Sequence, residues 1–273
     1  MDDLFSRSPE PVDGIRVGIG GWTFAPWRNN FYPAGMPQRR ELEFASRQLT
    51  AIEINGTYYG TQKPATYAKW RDEAPEGFVF SAKAPKRIMQ ARSLASVQSQ
   101  VEDFIGGISE LGAKLGPLVW QFEKGRRVEQ AELDAFLGAL PREWNGRPLR
   151  HALEIRDPAA VDEALIALAR RHNVATVFTD STEHPSFADL TADFAYARLM
   201  RSQPIDTGYP PAELAQWASR AKAWAAGEDV PELPHVASGS GDVPRRDVFV
   251  FFISSAKERN PAAAMELIRL LGA

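Results

Sequence analysis

The sequence contains no cysteine and only four histidines among its 273 residues. Without cysteine the chain has no disulfide, no thiolate nucleophile and no thiolate metal ligand. The histidines share no close spacing, so they do not form the pairs typical of a metal centre; they are His151, His172, His184 and His235. We therefore expect no metal and no cofactor, and the missing cysteine fits a reducing cytoplasm.

The chain also lacks a strong excess of charge and any long apolar run. Its formal net charge is −3, which gives no general attraction to polyanions and disfavours a nucleic-acid coat protein. The most apolar segment, at 248–253, is far shorter than the roughly 20 residues that cross a bilayer. The acidic segment 1–14 does not resemble a signal peptide. We expect a cytoplasmic protein that does not enter membranes, of unknown oligomeric state.

Eight apolar, strand-like segments alternate with segments of helical period. The strands are predicted at 15–20, 51–55, 78–83, 118–122, 152–156, 174–179, 196–200 and 248–253. The helices are predicted at 38–49, 65–74, 97–115, 128–140, 159–171, 211–226 and 261–271, and none follows the sixth strand. Strict alternation predicts parallel strands. Eight such units favour one α/β domain over 1–273, a (β/α)8 TIM barrel with a degenerate sixth helix; an open, doubly wound sheet is the alternative.

Two segments do not follow this alternation. Residues 1–14 are acidic and interrupted by proline, and we expect a flexible N-terminal tail. Residues 228–247 are rich in proline, glycine and serine without periodicity. They predict a flexible surface loop before the last strand, on the face of the barrel that does not carry active sites.

Five predicted strands carry charged or amide side chains near their ends, where strands normally carry apolar groups. An unpaired buried charge costs several kcal/mol, so these residues need a reason. Side chains alternate along a strand, which places the aliphatic neighbours outward and the polar set inward. We expect one polar site at the mouth of the barrel, formed by Glu53, Asn55, Lys83, Gln121, Glu154, Arg156 and Arg198.

The charges of this set predict the kind of ligand. Two glutamates face three cations, which leaves one excess positive charge unless Asp180, after the sixth strand, neutralises it. Surplus cations in a desolvated site favour phosphate or carboxylate, and the planar forks of Arg156 and Arg198 suit both. The alternative is a purely structural ion-pair network.

Aromatic residues crowd the segments that follow the first two strands: Trp22, Phe24, Trp27, Tyr58 and Tyr59. They are able to stack on a sugar or base. The favoured alternative is that most of them close the top of the barrel, since aromatic side chains chiefly supply buried area. We keep Trp22 and Tyr58 as candidate binding residues.

Several motifs together resemble the YecE-like family, number seventy-two of the families called "domain of unknown function". The resemblance covers about 17–271, and its motifs are Gly21-Trp22 with Trp27 and 31–33, IEINGTYY at 52–59, KAP at 83–85, LGP at 115–117 with Gln121, EIR at 154–156 and YARL at 196–199. It implies a TIM barrel and no established activity.

Six positions depart from the family pattern. Histidines of that pattern are replaced by Gln90, Asp157 and Met200. An asparagine pair is replaced by Ile253-Ser254, and a serine by Gly20. If the family's chemistry uses an imidazole base at one of these places, this chain lacks it.

These observations predict a pocket for a small anionic substrate, in an enzyme such as a hydrolase or lyase. The catalytic candidates are Lys83, Glu53 and Glu154, with the glutamates as proton-transfer groups. The substrate-binding candidates are Trp22, Asn55, Tyr58, Gln121, Arg156, Asp180 and Arg198. One alternative is a non-catalytic binder of an anionic ligand. Another is a nucleic-acid-processing barrel resembling apurinic endonucleases, which the scarcity of histidine disfavours.

Overall fold

Eight parallel strands close into a barrel in the computed structural model, which describes residues 8–237, 239 and 245–273. The strands follow one another around the ring in chain order, and the last pairs with the first. They are β1 (Ile15–Gly20), β2 (Ala51–Ile54), β3 (Val79–Lys83), β4 (Leu115–Phe122), β5 (His151–Ile155), β6 (Ala175–Thr179), β7 (Phe194–Leu199) and β8 (Asp247–Phe252). The predicted TIM barrel is confirmed, and the open sheet is excluded.

Seven α-helices of eight or more residues surround the described barrel. They are α1 (Glu41–Gln48), α2 (Pro64–Glu73), α3 (Gln98–Ile108), α4 (Gln130–Ala139), α5 (Glu163–Arg171), α6 (Pro211–Ala225) and α7 (Asn260–Leu271). Residues 180–193, between β6 and β7, contain no helix, which confirms the degenerate sixth unit. No helix in the described part of the chain is long and apolar enough to cross a membrane.

Two predicted helix boundaries were wrong for identifiable reasons. The helix predicted to reach residue 115 ends at Ile108, and a 3-10 segment with Gly112 at a φ of 60° follows it. The helix predicted to begin at residue 159 begins at Glu163. Its cap is Asp162, whose side chain accepts a hydrogen bond from the Leu165 N–H at 2.8 Å. Asp157 instead caps the single turn Pro158–Ala160.

A short hairpin precedes β5 and was not predicted. It pairs Glu143–Trp144 with Arg147–Pro148. Asn145 and Gly146 connect the two with φ values of 50° and 72°. An Asn-Gly pair favours this turn because both residues tolerate positive φ, so the sequence does contain the signal.

Side-chain alternation divides the buried residues of the barrel into two groups, as predicted. Outward side chains such as Ile52, Ile54 and Phe80 pack against the helices. Inward side chains form a second, smaller cluster that includes Ala51, Val119, Ala152, Tyr196 and Phe249. This cluster fills the barrel interior below the strand ends, so the next inward position on each strand carries the polar residues of the mouth.

The segments outside the barrel are described only in part. Residues 1–7 of the predicted tail lie outside the described residues, and 8–11 lie beside Thr50 and Phe78. Residues 238 and 240–244 of the predicted loop also lie outside. In its described part, the Asp189 carboxylate accepts hydrogen bonds from the Val236 and Ala237 N–H groups, each at 2.8 Å. Whether the loop and tail are flexible remains a prediction.

Candidate functional site

A polar cavity of about 370 Å³ opens at the mouth of the barrel, beyond the carboxyl ends of the strands. Five of the predicted polar residues line it, together with side chains from the segments after β2, β4 and β8. The full lining is Gly20, Asn55, Tyr58, Tyr59, Lys83, Gln121, Glu123, Arg156, Arg198, Phe252, Ile253, Ser254, Lys257 and Asn260. The expected convergence of distant strand ends is therefore observed for these residues.

One arginine between two glutamates forms the floor of the cavity. The Nε and Nη2 atoms of Arg198 each donate to Glu53 at 3.1 Å, and Nη1 donates to both carboxylate oxygens of Glu154 at 2.7 and 2.8 Å. All three residues are at most 3% exposed. Such a buried group is stable only if its charges and hydrogen bonds are matched, and this one is matched from both sides.

The charges in this floor stabilise one another. Burial by itself raises the pKa of Glu154, but the charges of Arg198, Arg156 and Lys83 together outweigh it and the pKa is lowered. Burial likewise opposes the charge of Arg198, yet Glu154 and Glu53 raise its pKa above the ordinary value. The planar fork of Arg198 is thus occupied by protein carboxylates and is not open to an incoming anion.

Tyr196 supports the floor from inside the barrel. Its hydroxyl donates to Glu53 at 2.7 Å and lies 2.7 Å from the Ser81 hydroxyl oxygen. Burial, followed by the charge of Glu53, raises the pKa of Tyr196 well above its usual value, so the phenol keeps its proton. Tyr196 precedes Arg198 by two residues on β7, so the two side chains point to the same face of the strand. This spacing is the feature of the sequence that predicts Tyr196 inside the barrel.

Glu123 forms a second polar group nearer the opening of the cavity. Its carboxylate accepts hydrogen bonds from the Gln121 amide and from the Tyr58 hydroxyl, the latter at 2.7 Å. Arg156 Nη1 lies 3.4 Å from its other oxygen. Burial alone raises the pKa of Glu123, but the Tyr58 bond and Arg156 outweigh it and lower the pKa. We did not predict Glu123, although it continues the parity of Gln121 just beyond β4.

Lys83 differs from the two arginines because no described residue pairs with its amine. Its Nζ lies 4.2 Å from the centre of the Tyr58 ring, and the residue is 6% exposed. We find no hydrogen bond or ion pair from this Nζ to any residue that the structure describes. Burial, followed by the charge of Arg198, lowers the pKa of Lys83 to about 8, against the opposing effect of the two glutamates.

Two further basic groups belong to the surroundings of the site, and of these only Lys257 lines the cavity. Lys257 Nζ lies 4.6 Å from the centre of the Phe24 ring, and burial lowers its pKa. His184, in the loop after β6, is close enough to the site that Arg156 contributes to lowering its pKa, after burial. We had discounted the histidines on spacing alone. Because the loop after β6 has no regular structure, no pattern could place His184 there.

Two of the predicted binding residues do not line the cavity. Gly21 has a φ of +73° and turns the chain outward after β1. Trp22 then packs edge-on against Trp70 of α2, with ring centres 4.8 Å apart. Asp180 faces the end of β7, where its carboxylate accepts hydrogen bonds from the Met200 N–H at 2.5 Å and the Tyr209 hydroxyl at 2.9 Å.

Most of the other aromatic residues near the mouth serve packing. Trp27 is fully buried, and its indole N–H donates to the Lys257 carbonyl at 2.8 Å. Tyr58 lies under Lys83 in the cavity wall. Tyr59 is the exception, since it lines the cavity and is 78% exposed. The expectation that aromatic residues chiefly close the barrel top therefore fits Trp22 and Trp27 but not Tyr59.

The departures from the family pattern fall into two groups. Gln90 is exposed, Met200 is buried in the inner cluster, and neither they nor Asp157 line the cavity. Gly20 and Ile253 do line it and face each other. A Cβ added at Gly20 would lie 2.8 Å from Ile253 Cδ1, so the larger side chain at 253 occupies space that the glycine leaves free.

A second cavity of similar size, about 360 Å³, lies outside the barrel between α4 and α5. Leu133, Leu165 and Leu168 contribute to its wall, and none of the charged residues that line it is buried. Among the described residues, no group of three or more histidines and carboxylates is arranged to hold a metal ion. We therefore place the candidate site at the mouth of the barrel.

Fold and site together define a (β/α)8 barrel with a charged mouth. The chain belongs to the family described as "Protein of unknown function DUF72", whose profile matches residues 16–273. This confirms the resemblance found in the sequence motifs. No curated protein matches the chain.

Solved structures of low sequence identity share this fold. A DUF72 family protein from Thermotoga maritima is 18% identical, with a TM-score of 0.71, and the match covers 95% of this chain and 99% of that one. A DUF72 family protein from Enterococcus faecalis is also 18% identical, with a TM-score of 0.67 and coverages of 95% and 98%. A D-psicose 3-epimerase crystallised in the presence of D-fructose is 10% identical, with a TM-score of 0.55 and coverages of 94% and 97%. These likenesses show the fold alone.

Proposed function

We propose that the protein is an enzyme whose mouth cavity binds a small substrate bearing a phosphate or carboxylate group. The observation that carries this proposal is the charge balance of the residues at the cavity. Four cations line the cavity, Lys83, Arg156, Arg198 and Lys257, whereas three carboxylates line or underlie it, Glu53, Glu123 and Glu154. One positive charge is left over, and an anionic group on the substrate neutralises it.

The anion is held by the cations that remain accessible. Arg198 is saturated by its two glutamates, so we assign it the role of fixing the cavity floor. Arg156 has longer contacts, 3.2 Å to Glu154 and 3.4 Å to Glu123, and its side chain is 19% exposed. Arg156 is therefore held less tightly than Arg198. We assign the contact with the incoming anion to Arg156 together with Lys257 and Lys83.

Two amide oxygens indicate a further property of the substrate. Gln121 Oε1 and Asn260 Oδ1 are buried, and neither has a hydrogen-bond partner among the described residues. Both side chains line the cavity. An unsatisfied buried acceptor is costly, and a hydroxyl donor on the ligand relieves that cost. A hydroxylated anion, such as a sugar phosphate or sugar acid, satisfies the charge and the acceptors together.

Proton transfer is assigned to Lys83 and Glu123 rather than to the predicted Glu53 and Glu154. Both floor carboxylates are held by Arg198, which leaves them no freedom to exchange protons with a substrate. Glu123 and Lys83, by contrast, face the cavity directly. A pKa of about 8 leaves Lys83 able to gain or lose a proton near neutral pH.

A thermal-shift screen of phosphorylated and carboxylated metabolites tests the binding step. Hits should raise the melting temperature of the wild type and of Lys69→Met, an exposed control on α2. The shift should be lost in the double variant Arg156→Met and Lys257→Met. Equal shifts in all three proteins, or no stabilising anion at all, would contradict the proposed site.

Turnover distinguishes the enzyme from a non-catalytic binder. Each hit is incubated with the protein and followed by NMR for a new product. We expect Glu123→Gln to keep binding while losing turnover, because the amide has nearly the same shape but cannot carry a proton. Binding of a hit without any turnover in the wild type would favour the binder.

A further inference from the structure

Among the cations that line the cavity, the Lys83 amine is the one that is deeply buried without a hydrogen-bond or ion-pair partner among the described residues. Arg198 and Arg156 contact carboxylates at 3.4 Å or less. Lys257 lies over two aromatic rings but at the edge of the cavity. Lys83 is 6% exposed at the end of β3, and its Nζ borders the cavity beside the Tyr58 ring.

An amine in this setting suits a nucleophile better than a simple anion ligand. A lysine that only binds anions works best when fully charged, whereas burial and the nearby Arg198 both disfavour the charged form of Lys83. With a pKa of about 8, about a tenth of it is neutral at pH 7, roughly two hundredfold more than for an ordinary lysine. The neutral amine is the form that attacks carbonyl carbon.

We propose that Lys83 forms an imine with the carbonyl carbon of an anionic aldehyde or ketone, such as an oxo acid or a sugar phosphate in its open form. This inference rests on the proposed function, because Arg156 and Lys257 hold the anionic group while the carbonyl faces Lys83. It narrows the substrate class to carbonyl compounds and the chemistry to steps that use an imine as an electron sink.

The step balances without any added oxidant or reductant. The resting ammonium gives one proton through solvent to the Glu123 carboxylate, because Nζ makes no direct contact with it, and the amine lone pair then forms the C–N bond while the C=O π bond breaks. A second nitrogen proton and the proton held by Glu123 pass to the former carbonyl oxygen, which leaves as water. The nitrogen lone pair forms the C=N bond, so the protonated imine carries the charge of the original ammonium. Hydrolysis reverses the sequence and restores Lys83.

Reductive trapping tests the inference directly. The protein is incubated with pyridoxal phosphate, an aldehyde that carries a phosphate, or with glyoxylate, the smallest oxo acid, and then with cyanoborohydride. Intact mass and peptide mapping locate the adduct. We expect one adduct per chain on Lys83, forming at least about tenfold faster than on Lys86, with a rate that rises with pH toward the lysine pKa. Inorganic phosphate should slow it.

Matched variants complete the test. Lys83→Met should lose the fast adduct, while Lys86→Met, an exposed lysine three residues further on, should keep it. Circular dichroism melting confirms that each variant is folded. Slow labelling spread over surface lysines, or unchanged fast labelling in Lys83→Met, would overturn the inference.

The trapping result also separates this inference from the proposed function. If anions stabilise the protein but Lys83 is not labelled faster than Lys86, the anion site stands and the imine is wrong. If Lys83 is labelled rapidly but phosphate neither slows labelling nor stabilises the protein, the amine is a nucleophile and the proposed anion site is wrong.

Discussion

Two charged triads lie at opposite ends of the barrel, and they are built with opposite signs. At the mouth, Arg198 stands between two carboxylates, Glu53 and Glu154. At the other end, Asp247 stands between two arginines, 2.6 Å from Arg150 and 3.7 Å from Arg16. The triad at the mouth, called here the upper triad, is almost fully buried. The side chains of the triad at the other end, the lower triad, are between 20% and 36% exposed.

This difference in burial decides how much each triad contributes to stability. Water screens the lower charges, so their interactions are worth about 1 kcal/mol or less each. The upper charges have no such screening, and their attraction offsets a large desolvation cost. A barrel retains a costly buried triad more readily where it also shapes a site. The comparison thus supports a functional mouth and a structural lower end.

The largest expected effect comes from removing the middle residue of the upper triad. Arg198→Met leaves two buried carboxylates facing each other, and we expect it to lower the free energy of unfolding by about 3–5 kcal/mol. Asp247→Asn, the matched change in the lower triad, should cost no more than about 1–2 kcal/mol. Urea denaturation of both variants measures the difference. Similar losses in the two would refute the contrast drawn between the triads.

Lys83→Met should raise the free energy of unfolding, by less than Arg198→Met lowers it. The folded pKa of Lys83, about 8, lies below its unfolded value. Below pH 8 the folded state therefore bears the full cost of a buried charge, and stability rises as pH increases toward the unfolded pKa of about 10.4. We expect the variant to be more stable than the wild type by up to about 3 kcal/mol at pH 7.

The same comparison at higher pH provides the control for Lys83. Since the wild-type amine is neutral near pH 10, the advantage of Lys83→Met should shrink there. A stabilisation that stays constant from pH 7 to pH 10 would show that packing, and not the buried charge, is its cause.

The loss of stability in acid tests whether the Glu154 charge in the upper triad contributes to folding. The pKa of Glu154 is lowered in the folded protein, because Arg198 and Arg156 outweigh burial. Its contribution to stability is present above the unfolded pKa of about 4.3 and is lost as pH falls through the lowered folded value. Glu154→Gln should therefore have a shallower decline of unfolding free energy in acid than the wild type. Parallel declines would mean that Glu154 is not coupled to folding.

The smallest expected effect is the response to salt. About 1 M sodium chloride shortens the Debye length to about 3 Å, which weakens exposed ion pairs most. The destabilisation by Asp247→Asn should then fall toward zero, while that by Arg198→Met should change little. A large salt dependence of the upper triad would indicate that water reaches it.

The broad features of the fold and site follow from patterns that a sequence displays directly. Eight alternating segments predict the barrel, and strand parity predicts that Glu53 and Lys83 point inward. The pairing of Arg198 with both glutamates does not follow, because β2, β5 and β7 are distant in sequence and their heights in the barrel depend on its closure. The directions of the Asp180 and Trp22 side chains were not predictable either, because they depend on the conformation of individual turns. Glu123 was predictable, because it lies two residues after Gln121 and therefore points to the same face of the chain.

Crystals soaked in selenate test the central claim most directly, because selenate resembles phosphate and scatters X-rays anomalously. The account predicts one strong peak at the mouth of the barrel, in contact with Arg156 and Lys257 and near Lys83, with the Arg198 triad unchanged. An empty mouth, or a peak only at the Arg16–Arg150 end, would contradict it.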